Sequence, residues 1–223
     1  MSDVAMGPTR FTMLSTQGRP VVVRAKRLDV LWKRAVMEVK VKGERVERER
    51  GPVKELRGLI AHLEPRDEDA FDLPEEYPLD EGAVREYEDQ LLDPDRGGFE
   101  YTYGNRIREY FGVDQLEGLV ERLKEAPETR RAVAVTWDPK RDGKAEEVPC
   151  LVAVHLQSDG DDGLELHAFY RSWDVGKALV ANVIALRRLQ EEVAGEIGAE
   201  PTTVTVYASN AHVYLEDLKD LKW

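Results

Sequence analysis

The chain carries one cysteine, Cys150, in the triplet Val148-Pro149-Cys150 at the head of an apolar run. A single cysteine excludes an internal disulfide. Taken alone it is more often a core filler than a nucleophile. Its company changes the weighting. Thr129-Arg130-Arg131 precedes one strand-like run. Tyr170-Arg171-Ser172-Trp173-Asp174 closes another, and Asn182 follows Asp174 by eight positions. Ser209-Asn210-Ala211-His212-Val213-Tyr214 comes near the end. The set offers a sulfur that can add to an electron-poor carbon once it is a thiolate. It also offers guanidinium groups that can grip a phosphate with two prongs and an amide that presents a donor and an acceptor together. Each motif alone is weak, since a Pro-Cys pair or an Arg-Ser-x-Asp string arises by chance.

In this order and at these separations the four segments resemble the thymidylate synthase family, specifically a short, archaeal-type member. The resemblance covers Tyr101 to Tyr214 well and the first hundred residues poorly. It implies that Cys150 attacks C6 of a pyrimidine nucleotide and turns C5 into an enolate carbon able to attack a one-carbon donor. It places Arg171 beside the cysteine and on the phosphate. Arg130 and Arg131 match an arginine pair that binds that phosphate across a subunit interface. Ser172 matches a phosphate-contacting serine, and Asp174 an aspartate near base and pterin. Asn182 matches an asparagine that pairs with uracil N3–H and O4, where cytosine hydroxymethylases tend to carry aspartate. His212 and Tyr214 match a pair on the sugar 3′-hydroxyl. Tyr103 matches a tyrosine near the reacting carbon, able to polarise water there. Glu55 is a loose match to the catalytic glutamate, and a strand-end or helix-surface carboxylate is the plainer reading. Plainer readings exist for the rest too: solvated charges for the arginines, helix caps for Ser172 and Asp174, a half-buried strand end for His212 and Tyr214.

Some positions depart from the family pattern. Leu151 stands where histidine usually follows the nucleophile, and Ser209-Asn210 replaces Gly-Asp. Val175–Ala181 lacks the usual Leu-Gly-x-Pro-Phe. No clear phosphate-loop arginine shows in the N-terminal part, with Arg19 and Arg24 as candidates. Trp223 comes nine residues after Tyr214, whereas the usual family members continue and close over the folate. The departures fall mainly on the cosubstrate side, so the donor is expected to be a reduced folate (5,10-methylenetetrahydrofolate) or a methanopterin analogue.

These residues need elements to hold them. Arg10–Gln17 and Val21–Ala25 read as strands around a Gly18-Arg19-Pro20 turn. Asp29 could cap a helix to Lys42, with Leu31, Trp32, Ala35, Val36 and Val39 on one face and Gly43 as its stop. Leu56–Leu63 reads as a strand and Pro65–Pro78 as an exposed acidic loop. Asp80–Leu92 and Asp114–Glu125 read as helices. Ala132–Trp137, Pro149–Gln157, Leu164–Arg171 and Thr202–Ala208 read as strands. In the second of these, strict alternation puts Cys150, Val152, Val154 and Leu156 on one face. A long helix, capped by Asp174, runs to Glu196. The expected fold is α/β of the α+β type, a mixed sheet packed on a long central helix. One domain spans 1–223, with 1–100 as its divergent part.

Composition bounds the remainder. At 223 residues, 42% hydrophobic, the chain can bury a sizeable core. The net charge of −12 disfavours nucleic acid. No apolar run suits a membrane span, and no signal pattern opens the chain, so a cytoplasmic protein is expected. His62, His155, His167 and His212 lack metal-ligand spacing, so no metal is expected. No phosphate-binding glycine loop is present. The leading expectation is a methyltransferase making dTMP from dUMP. The alternatives are a pyrimidine-nucleotide hydroxymethylase and a nucleotide-binding protein without catalysis; Cys150 argues against the last. A homodimer follows if Arg130 and Arg131 act in trans, with a monomer as the alternative.

Overall fold

The computed structural model describes residues 20–160 and 162–221, so the expected strand Arg10–Gln17 and Arg19 lie outside the described residues. Strand β1 (Val21–Ala25) leads into helix α1 (Leu28–Lys42), whose Leu31, Trp32, Ala35, Val36 and Val39 are all buried. Asp29 does not cap this helix. The N-cap is Arg27, and Asp29 sits in the first turn, paired to Arg27 at 3.2 Å. Gly43 ends the helix at φ −68°, so handedness is not why glycine stands there. A Cβ would lie 2.3 Å from the Val39 carbonyl oxygen.

The strand expected at Leu56–Leu63 is longer, β3 (Gly51–Leu63), and forms a hairpin with β2 (Glu44–Arg48). Helices α2 (Glu81–Leu92), α3 (Tyr103–Arg108) and α4 (Gln115–Glu125) follow, capped by the side chains of Asp80, Thr102 and Asp114. A short 3-10 helix, Glu68–Phe71, interrupts the expected loop. Then come β4 (Val133–Val135), β5 (Leu151–Ser158), β6 (Gly163–Tyr170), β7 (Trp173–Asp174), α5 (Leu179–Ile197), β8 (Glu200–Tyr214) and α6 (Asp217–Asp220). The long helix therefore starts five residues after Asp174. That aspartate caps the preceding turn instead, accepting from the Gly176 and Lys177 amides at 2.9 and 3.1 Å.

The strands form one mixed sheet in the order β1-β3-β8-β6-β5-β4, with β2 on β3 and β7 on β8. β1–β3, β6–β8 and β7–β8 are parallel and the other pairs antiparallel. Helix α1 packs on β1 and β3, and α5 on β6 and β8, so the core lies between the sheet and these helices. Strict alternation fails at the head of β5. The register with β6 shifts between Leu151 and Ala153, so Leu151 is buried along with Val154 and Leu156. That irregularity is a bulge of the kind that re-aims side chains, and it adjoins Cys150.

Among the described residues, no helix covers the other face of the sheet. Register pairs run Val135–Ala153–Phe169–Tyr207–Ile60–Val22 straight across it. Val22, Val135, Phe169 and Tyr207 each remain 40–50% exposed. The adjacent row, Val133–His155–His167–Thr205–His62–Arg24, shares this face.

Candidate active site

Cys150 stands just before β5, and Arg171 just after the antiparallel β6, so the two strands bring them side by side. The Arg171 amide donates to the Cys150 carbonyl at 2.9 Å. The Arg171 guanidinium is steered by two backbone carbonyls. Nε donates to Pro149 O at 2.8 Å and Nη2 to Val148 O at 2.9 Å. Nη2 then lies 3.7 Å from the Cys150 Sγ. Burial pushes the thiol pKa up, while the Arg171 charge pulls it down without reversing the shift. The sulfur is thus a protonated thiol beside a fixed cation, rather than the resting thiolate expected from the arginine alone.

Two tyrosines wall the sulfur. Tyr103 opens α3, and its hydroxyl accepts from the Leu151 amide at 3.2 Å. Tyr101 donates to Val148 O at 3.1 Å. Burial pushes Tyr101 up to about 12 and Tyr103 higher still, so both phenols stay neutral. Helix α3 gets this close to α2 because Gly104 lacks a side chain. A Cβ there would meet the Gln90 and Asp93 carbonyl oxygens at 2.5 and 2.2 Å. Beside this wall a cavity of about 430 Å³ opens, lined by Tyr87, Phe99, Tyr101, Tyr103, Glu100 and Glu147 among others.

Asn182 lies in the first turn of α5 and is buried. Its Oδ1 accepts from the Trp173 indole at 2.8 Å, and its Nδ2 donates to the Tyr87 hydroxyl at 2.6 Å. Trp173 in turn stacks on Tyr170, with centroids 5.5 Å apart. Ser172 sits between Arg171 and Trp173 in the same short connection. Asp174 is the register partner of His212. Burial raises the Asp174 carboxyl and lowers the His212 imidazole, and so disfavours charge on both. His212 packs edge-on against Tyr214, with centroids 5.5 Å apart.

Glu55 is not a strand-end carboxylate. It is buried inside β3, opposite His212. Burial raises its pKa, but hydrogen bonds from Arg48 and Asn210 and the charges of Arg48 and Arg57 leave it lowered overall. Its Oε2 accepts from both Nε and Nη2 of Arg48, the former at 3.0 Å, while Oε1 faces Arg57 at 3.9 Å.

Arg130 and Arg131 are exposed and far from this group. The Ala132 carbonyl accepts from the Leu156 amide, six residues along β5 from Cys150, or about 20 Å at strand rise. Arg24 lies on β1, four strands from β5, roughly 19 Å across the sheet. Among the described residues, a cation that sequence reasoning missed does approach: Arg50, in the turn between β2 and β3. It pairs with Glu147 at 2.9 Å and its charge lowers the Cys150 thiol. Its sequence signal was a charged residue before Gly51, and only the hairpin gives it meaning. Among the described residues no group of three metal-ligating side chains gathers. His62 is held by Thr205 at 2.8 Å, and His155 stacks on His167.

The thymidylate synthase family model matches residues 69–223. A relative from Methanopyrus kandleri, named "Putative thymidylate synthase", is 69% identical over 92% of this chain and 98% of its own length. The chain belongs to the thymidylate synthase family. Relatives of the same name share 40% identity over 74% of both chains in Methanothermobacter marburgensis. In Methanosarcina mazei they share 38% over 88% of this chain and 90% of the relative. The family match begins well before Tyr101 and takes in α2, so Tyr87 belongs to the matched region of this thymidylate synthase family member. Among the described residues no helix is long and apolar enough to cross a membrane.

Proposed function

We propose that this protein transfers a one-carbon unit to C5 of dUMP, giving dTMP, with Cys150 as the nucleophile. The observation that carries the reading is the Arg171 guanidinium 3.7 Å from the Cys150 sulfur, steered there by two backbone carbonyls. A cation held at that spot stabilises the thiolate as it forms. Sulfur bonding to C6 moves an electron pair towards C5 and O4, and C5 then attacks the one-carbon unit. Loss of the C5 proton and departure of the donor nitrogen leave a methylene on C5. A hydride, which the reduced pterin would supply as it is oxidised to its dihydro form, then makes it a methyl group as the sulfur leaves, restoring the ring and the free cysteine.

Asn182 reads the base, with its oxygen for N3–H and its amide N–H for O4. Arg171 and Ser172, joined by Arg50, hold the 5′-phosphate. His212 and Tyr214 take the sugar hydroxyl, and Asp174 sits between them and the base. Tyr103 fixes the backbone behind the sulfur. A reduced folate, 5,10-methylenetetrahydrofolate or a methanopterin analogue, supplies the carbon. The aromatic cavity of about 430 Å³ beside Tyr103 suits a flat pterin ring. All these residues serve one domain.

A homodimer completes the site. Arg130 and Arg131 cannot reach the nucleotide of their own chain, and the uncovered row from Val135 to Val22 offers a face for a second copy. The test is tritium release from dUMP tritiated at C5, with each donor. It is paired with intact-mass and peptide mapping after 5-fluoro-dUMP treatment. Release with a covalent adduct on Cys150 is expected. Release with an adduct elsewhere removes Cys150 from the mechanism, and a hydroxymethyl product makes water, in place of hydride, the final nucleophile.

A further inference from the structure

The amide of Asn182 is held by two partners that differ in kind. An indole N–H can only donate, so the Asn182 atom 2.8 Å from Trp173 Nε1 must be the oxygen. A tyrosine hydroxyl can donate or accept, so Tyr87, 2.6 Å away, would tolerate either end of the amide. Rotating the amide by half a turn would bring Nδ2–H against Nε1–H. Two buried donors would face each other with no acceptor between them, an arrangement that costs free energy. Trp173 cannot swing away, because it is 1% exposed, stacked on Tyr170 and seated in β7 against β8.

The lock has a consequence for the base. After serving Trp173 and Tyr87, Asn182 keeps one oxygen lone pair and one N–H for a ligand. Uracil offers N3–H and O4, and cytosine offers the reverse, an acceptor at N3 and an amine at C4. A free amide could serve both by turning over. A locked one serves a single pattern. Resting on the dUMP reading above, we infer that Trp173 is the specificity-determining positioning residue of this site. Its indole N–H bars the amide from turning over to accept cytosine. Tyr87 holds the amide without choosing its orientation.

Calorimetric binding of dUMP and dCMP to the unaltered protein, Trp173→Phe and Tyr87→Phe tests this. Phenylalanine keeps the stack on Tyr170 and deletes the N–H. In Trp173→Phe the preference for dUMP over dCMP should shrink by about tenfold. In Tyr87→Phe both nucleotides should weaken with the preference kept, an outcome that a merely structural role for Trp173 does not predict. If Trp173→Phe does not fold, benzothienylalanine at position 173 keeps the bicyclic shape without the N–H and should give the same shrinkage. A folded variant with an unchanged preference overturns the lock and leaves the dUMP reading standing. An unaltered protein that binds neither nucleotide overturns the dUMP reading, and the lock with it.

Discussion

At Cys150 two effects oppose each other, and burial is the larger. The thiol is pushed up by desolvation, and the Arg171 charge recovers part of that shift. The neutral thiol is therefore favoured in the free protein, and thiolate appears only as pH rises past the ordinary thiol range. Iodoacetamide alkylation of this single cysteine should have its midpoint above that range. In Arg171→Leu the midpoint should move higher still and the rate at pH 8 should fall several-fold. A midpoint at or below the ordinary value would mean that Arg171 outweighs burial. The family resemblance implied that Cys150 and Arg171 are neighbours, and the structure brings the strand-head cysteine and the strand-end arginine together by one antiparallel pairing. The sign of the thiol shift was not legible. It depends on how deeply the fold buries the sulfur, where Tyr101 and Tyr103 hold the backbone on either side of it, and nothing in their spacing from Cys150 announces that.

At the scale of elements, α3 holds the tyrosine wall, and it is pinned from beneath. Arg106, fully buried in α3, pairs with buried Asp142 at 2.7 Å and lies under the Tyr110 ring, 4.1 Å from its centroid. Asp142 also accepts from the Asp138 amide at 2.7 Å. Asp142→Ala would leave a guanidinium buried without its counter-charge. It should cost about 3–5 kcal/mol in urea unfolding, and Asp142→Asn, which keeps a hydrogen-bond acceptor, should cost less. Equal losses would mean that shape rather than charge matters there. Helix α3 itself was not evident from sequence. Six residues between two glycine-bearing loops give no apolar period, and its support comes from the ion pair and from the Gly104 contact with α2. The β2–β3 hairpin was equally hidden. Glu44-Arg45-Val46-Glu47-Arg48 has the composition of a solvated surface, and it is a strand because β3 supplies backbone partners. Without that hairpin Arg50 has no address. The long helix and the β5 and β6 strands were readable within about five residues, since each carries an apolar face of the right period, whereas β8 runs six residues past its expected end at Ala208 and so carries His212 and Tyr214 within the sheet. The assignments of Asp29 and Asp174 as helix caps failed because an aspartate one turn too early or too late finds another amide or cation.

At the scale of the whole molecule, the sheet has one face packed on helices and one that no helix among the described residues covers. Nearly all the charged residues at the proposed nucleotide site cluster round Cys150, yet the arginine pair at residues 130 and 131 stands at the far end of β5. A second copy laid face to face on the bare sheet would bury the Val135–Val22 row, and a two-fold axis would carry each copy's arginines towards the other's ligand. This arrangement makes a test that neither half-site alone can pass. Arg131→Ala and Cys150→Ser should each be nearly inactive in tritium release. Mixed one to one and allowed to exchange subunits, half the dimers are mixed, and each mixed dimer holds one site with both defects and one with neither. Activity should return to about a quarter of the unaltered protein's. Phe169→Glu, which puts charge in the middle of the bare row, should shift the protein towards monomer in light scattering and abolish the recovery. A mixture that stays inactive while native mass spectrometry shows mixed dimers would place Arg131 outside the site, and the bare face would then need a different role.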